Sequence, residues 1–257
     1  MTFTENLAAF KTLITKEVLR FARIWIQTIL PAMITTALYF VIFGNLIGSQ
    51  IGDMSGFRYM DYIVPGLILM AVITNSYANT VSSFYSAKFQ RNIEEMLVSP
   101  MSNTVILLGF IGGGVARGMS VGLGVTIVAL FFTHFHLHNV WVTVTIALLT
   151  AILFSIGGIL NAIYAKSFDD ISIVPTFVLT PLTYLGGIFY TIHLLPAFWQ
   201  KVSLFNPILY MVNAFRYGIL GVSDINVLYS YFIILAFIAG LFSFGLYLLH
   251  KGYGIRS

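Results

Sequence analysis

The 257-residue chain has no cysteine, which excludes a disulfide framework, a thiolate metal site and a cysteine nucleophile. Charge is nearly as scarce. Thirteen Lys and Arg and nine Asp and Glu amount to 9% of the residues, where water-soluble domains carry about a quarter. So little charge cannot build a water-facing surface, and that excludes a soluble enzyme, a nucleic-acid-binding protein and a disordered chain. The sequence is 58% hydrophobic with mean hydropathy +0.92, the composition of an all-α membrane protein. Its net charge of +4 is read first as a topology marker, since Lys and Arg sort to one side of a bilayer.

Uncharged windows run over 24–52, 62–87, 96–116, 118–165, 171–200 and 225–250. A helix crossing ~30 Å of hydrocarbon needs ~20 residues. The 118–165 window holds two crossings, separated by the polar run Thr133 to Asn139. Ser99-Pro100-Met101-Ser102-Asn103 is an N-cap and breaker cluster, so the following apolar run joins across Arg117 to the span ending near Phe132. Six spans result, at about 25–47, 62–85, 107–132, 141–164, 171–191 and 227–249, in one domain covering 1–257. Lys11, Lys16, Arg20, Arg23, Lys88, Arg91, Lys166, Lys251 and Arg256 then share a side, against Arg58, Lys201 and Arg216 opposite, which places both termini in the cytoplasm. A seventh span at 202–222 would put Arg216 in lipid and is rejected. Trp25, Trp141 and Trp199 fall at expected span ends, where indole favours the headgroup layer. The first apolar run is too long for a signal peptide, so the N-terminus is expected to be retained.

Three segments are not simple spans. Residues 4–23 form an amphipathic helix expected to lie on the membrane, with Leu7, Phe10, Leu13, Ile14, Val18 and Phe21 on one arc, Lys16, Arg20 and Arg23 opposite, and Glu17 interrupting the arc. It reads equally as a lipid anchor or as a docking surface that uses Glu17. Residues 88–102 exceed what a connection between antiparallel spans requires. Here Ile93, Met96 and Leu97 share one side of a short helix, beside Glu94 and Glu95; the segment is either a solvated turn or a lever gripped by a partner. In 192–223, Pro196 and Asn206-Pro207 break the chain and Gly221 can end a helix, giving two half-helices dipping into the outer leaflet, as a cap or as part of an exit.

Arg117 would cost ~2.5–3.5 kcal/mol at mid-bilayer, so it is expected to snorkel toward the inner headgroups. Gly114, Gly118 and Gly122 on the same helix suit close packing. Gly118-Met119-Ser120-Val121-Gly122 also fits G-x-S-x-G, leaving an intramembrane serine protease as an alternative. Every candidate base, however (His134, His136, His138, His193, His250), lies in a turn or at a span end. The alternating His134, His136 and His138 lack a carboxylate or Cys companion for a metal, so no metal site is assigned. There is no P-loop motif, so ATP hydrolysis is not expected on this chain. Apart from Arg117 no span interior is ionisable, which counts against a second alternative, an ATP-independent secondary transporter.

Tyr62-Ile63-Val64-Pro65-Gly66-Leu67, Arg91 through Glu95-Met96-Leu97-Val98-Ser99-Pro100-Met101-Ser102, and Gly186-Gly187 through Leu195-Pro196 and Asn206-Pro207-Ile208-Leu209-Tyr210 to Arg216-Tyr217-Gly218-Ile219-Leu220-Gly221 together resemble the ABC-2 type permeases, membrane subunits of bacterial ATP-binding cassette exporters. The likeness covers nearly the whole chain. One departure is Asn92-Ile93-Glu94, where the family often has Gly-Thr before Glu-x-Leu. The resemblance implies a multi-pass inner-membrane permease that pairs with a second copy and with two copies of a separate P-loop ATPase carrying ATP and Mg. Its coupling helix would use Arg91, Asn92, Ile93, Glu94, Glu95, Met96, Leu97 and Pro100. The first and fifth spans would line a path including Tyr39, Phe43, Tyr184 and Phe189, for a drug, lipid-like or glycolipid substrate.

Overall fold

A computed structural model describes residues 3–133 and 137–254. Helix α1 (Phe3–Ala22) precedes α2 (Trp25–Tyr39), which runs through a π-helical turn (Phe40–Ile47) into α3 (Gly48–Ile51). A small hairpin follows, β1 (Asp53–Met54) against β2 (Phe57–Arg58) in antiparallel register, with Asp53 opposite Arg58. Its two turn residues, Ser55 and Gly56, have φ of 52° and 82°, the left-handed pair that a tight hairpin requires. Then come α4 (Tyr59–Phe89), α5 (Asn92–Val98), α6 (Asn103–Ala129) and α7 (Val140–Tyr164). A stretch of fifteen helical residues combines α8 (Asp170–Val174), a π turn (Pro175–Leu179) and α9 (Thr180–Tyr184). The chain closes with α10 (Ala197–Leu204), α11 (Pro207–Leu220) and α12 (Val227–Lys251).

Side-chain caps set several of the starts. The Asn139, Asn206 and Asn226 side-chain oxygens accept from the amides of Val142, Ile208 and Leu228 at 3.1, 3.0 and 2.9 Å, and Ser102 does the same for Val105 at 3.3 Å. Each cap satisfies a first-turn amide that has no partner within its own helix.

α4 is the axis of the bundle, with α6, α7 and α11 packed around it. The fit depends on missing side chains: a Cβ on Gly118 would collide with Ser76 and the Val72 carbonyl of α4, and one on Gly114 would strike Ser155 of α7 and Thr80 of α4. Gly122 faces Val72, so the glycine face expected on this helix is the α4 and α7 contact.

Among the described residues, five helices are long and apolar enough to cross a membrane: Trp25–Gly44, Tyr59–Phe89, Asn103–Ala129, Val140–Tyr164 and Val227–Lys251. The expected fifth span at 171–191 is shorter than read, because its regular helix ends at Tyr184 and Gly187, at φ 70°, turns the chain. The two outer half-helices are also unlike each other. α10 is largely exposed, whereas α11 is buried along nearly its whole length against α7, α12 and α4.

Candidate functional site

Helix α1 is held by the bundle. Leu13 sits against Gly109 and Ile14 against Gly112, so the apolar arc read as membrane-facing meets a glycine face of α6. Glu17 is fully buried. Its Oε2 accepts from Ser83 Oγ at 2.6 Å and pairs with Arg20 Nε at 3.4 Å, while Arg20 Nη2 donates to the carbonyl and Oδ1 of Asn79 at 3.0 and 2.9 Å. Glu17 therefore fastens α1 to α4 and is not exposed to a partner. Lys16 and Arg23 are exposed.

The helix α5 lies at the same end. Gln90 and Arg91 make the corner from α4, with Arg91 at φ 62°, a left-handed geometry that a non-glycine residue adopts only when its surroundings impose it. Ile93 is fully buried and Met96 and Leu97 pack on the core, so the apolar side expected from the sequence is the seat of the helix. Asn92 donates to Gln90 Oε1 at 3.3 Å. Arg91, Glu95 and Pro100 are exposed and Glu94 is half-buried. Val98 is 88% exposed and Phe89 67%, two apolar contacts that charge-led reading overlooked. One step back on α4, Lys88 Nζ donates to the carbonyls of Ile163 and Ala165, each at 2.7 Å. A cation there neutralises the negative end of α7 and satisfies its terminal carbonyls. Displacing α5 therefore pulls on α4 and α7 together. Beside it Phe89, Arg91, Glu94, Lys166 and Tyr253 border a surface cavity of 620 Å³.

At the opposite end, Arg216 of α11 is 1% exposed. Its Nη2 donates to the Gly187 carbonyl at 2.6 Å and its Nε to the Tyr62 carbonyl at 3.3 Å, and the guanidinium stacks 3.9 Å from the Tyr62 ring centre. Asp224, held by Ile192 N at 3.2 Å, acts on it electrostatically. The sequence placed Arg216 as an outer cation; it is an internal clasp between α11, the start of α4 and the turn after α9. Asn206 adds a second tie, donating to the Leu182 carbonyl at 2.6 Å. Gly221, at φ 77°, ends α11, and Pro196 begins α10.

Tyr39, Phe43, Tyr184 and Phe189, drawn from three separate stretches, meet in one aromatic cluster. Phe189 lies 6.1 Å from Tyr39, 5.2 Å from Phe43 and 6.2 Å from Tyr184. Both flanking helices change to π geometry close by, at 40–47 and 175–179, an irregularity often found at functional positions. No residue pattern signals it. Arg117 is half-buried, and its Nη2 donates to Asn75 Oδ1 of α4 at 3.5 Å.

Ser120 Oγ donates to its own helix at the Ala116 carbonyl, 2.8 Å away, as packed serines in apolar helices do. Of the histidines, His138 stacks edge-on against Tyr217, His193 lies in a short 3-10 turn and His250 in the last turn of α12. His134 and His136 lie outside the described residues. Among the described residues no group of three His, Asp or Glu could hold a metal.

Residues 8–220 match the ABC-2 type transporter family. The chain is similar to the inner membrane transport permease YadH of Escherichia coli strain K12, 57% identical over 250 residues that span 97% of each chain. More distantly it is similar to nodulation protein J of Rhizobium leguminosarum bv. viciae, 24% identical over 79% of this chain and 78% of the relative. It is also 23% identical to the nodulation protein J of Rhizobium meliloti, over 80% and 79% of the two chains. With this match across the bundle, from α1 through the α11 clasp, the chain belongs to the ABC-2 type transporter family as a transmembrane transport permease.

Proposed function

We propose that the chain is the permease subunit of an exporter in the bacterial inner membrane, moving a drug, lipid-like or glycolipid substrate outward on energy from a separate ATPase. The E. coli relative's name places that protein in the inner membrane. Six crossings follow if the 170–184 helix enters the bilayer and the clasped turn 185–192 completes its depth. A fifteen-residue helix spans only ~22 Å and needs such help or a locally thinned bilayer. Both termini are then cytoplasmic, as is α5.

The observation that carries the reading is the mounting of α5: an apolar seat on Ile93, Met96 and Leu97, with Arg91, Glu95, Val98 and Pro100 turned outward. A loop that only joined two spans would need neither. Two ATPase copies, each with ATP and Mg, press on α5 and on the Lys16 and Arg23 side of α1. Because the Ile93 seat holds α5 and the Glu17 cluster holds α1 on the bundle, and Lys88 ties α4 to α7, the thrust reaches the bundle as a rigid motion. A second permease copy meets the exposed apolar side of α2 and the 170–184 helix, with the aromatic cluster facing the shared path. Purification of the full chain from native membranes tests the reading: a P-loop ATPase should co-purify, and transport by the chain alone would contradict it.

A further inference from the structure

Between α2, α4 and α6 lies a cavity of 360 Å³ whose walls include Gln27, Thr28, Tyr39, Thr74, Asn75 and Arg117. Pro31, Ala32, Leu67, Met70 and Ala71 complete a mixed polar and apolar lining. Its cation is poorly matched. Arg117 makes one long hydrogen bond, 3.5 Å to Asn75, and its buried Nε has no partner. The charged group that acts on it is Arg20, of like sign, and the neighbouring carboxylate, Glu17, is taken up by Arg20 and Ser83. Two guanidinium groups and one carboxylate leave an excess positive charge facing an open cavity. A buried cation held this way lacks an anion, and a planar guanidinium matches phosphate or carboxylate.

The volume is at the small end of ligand sites, enough for a head group and too little for a whole amphiphile. Tyr39 lies on the cavity wall and also stacks with Phe43 and Phe189, at 5.7 and 6.1 Å. The polar site and the aromatic cluster are thus adjacent, with the polar one on the α5 side.

We propose that this cavity binds the acidic head group of an anionic amphiphile, phosphate or carboxylate, with Arg117 as counter-ion and the Tyr39 cluster receiving the apolar body. The inference deepens the permease reading and rests on it, assigning the substrate class that the shared path accepts.

The test is equilibrium binding to the full chain in phosphatidylcholine nanodiscs, without ATPase, using radiolabelled dodecyl phosphate and subtracting uptake by empty nanodiscs. One saturable site is expected, weakened about tenfold or more by Arg117→Gln and kept within about threefold by Arg117→Lys. Asn75→Asp, which supplies an internal carboxylate, should weaken it similarly if the Gln variant fails to fold. Dodecyl maltoside and inorganic phosphate should displace the probe poorly. Unchanged affinity in Arg117→Gln or Asn75→Asp, no saturable binding to wild type, or equal displacement by either competitor would overturn the site. Since no ATPase is present, that failure leaves the transport reading to its own co-purification test.

Discussion

Helices α4 and α2 are both apolar enough to cross a membrane and have opposite surroundings. The most apolar stretch of α4 is 78% buried, that of α2 only 17%. Around α4 the bundle is tied by polar groups: Arg216, buried on three carbonyls, Lys88 on the end of α7, and buried Glu17 with Ser83 and Arg20. Around α2 and the 170–184 helix there are π turns, an aromatic cluster and an outward apolar face. The difference separates a frame tied by polar groups, which in the proposed function transmits force, from a flank that the same proposal sets against a second copy and a substrate.

Changes within the frame should show first as loss of folded protein. Arg216→Leu strands the carbonyls it serves and should cost about 2–5 kcal/mol, read as a sharp fall in thermal unfolding temperature in detergent. Gly118→Val forces α6 off α4 and should cost about 1–3 kcal/mol in the same assay. On the flank the expectation reverses. Phe43→Ala should reduce vesicle transport roughly three- to tenfold while the unfolding temperature moves little. Ser120→Ala should change stability by less than about 0.5 kcal/mol and leave transport intact; loss of function there would revive the protease alternative. A flank substitution that unfolded the protein, or a frame substitution that altered only transport, would break the distinction.

Much of this frame was legible in the sequence. Charge-free windows located α2, α4, α6, α7 and α12, because a membrane helix must satisfy its own backbone over a fixed length. Asn206-Pro207 and Gly221 marked the bounds of α11 through capping and left-handed geometry. The four aromatics singled out as path residues meet in one cluster, though their role in transport is a proposal.

Other features had no local signal. Apolar periodicity cannot distinguish a face packed on glycine from one packed on lipid, so the arc of α1 that meets α6 read as membrane-facing. Charge scarcity encouraged placing Arg216 at the outer surface, and its burial departs from that. The π turns leave no compositional trace, and the fifth expected span read as continuous to residue 191 because its apolar run continues past Tyr184, where the helix ends before the turn at Gly187.

The central claim is that α5 transmits the ATPase stroke through its outward residues while its seat stays fixed. The direct measurement is substrate-stimulated ATP hydrolysis in vesicles holding the co-purified ATPase and either wild-type permease or Val98→Asp with Glu95→Arg. Val98 is 88% exposed, so the double variant should fold and insert as wild type does, within about 1 kcal/mol. The account predicts that stimulation disappears while basal hydrolysis continues; stimulation equal to wild type would contradict it.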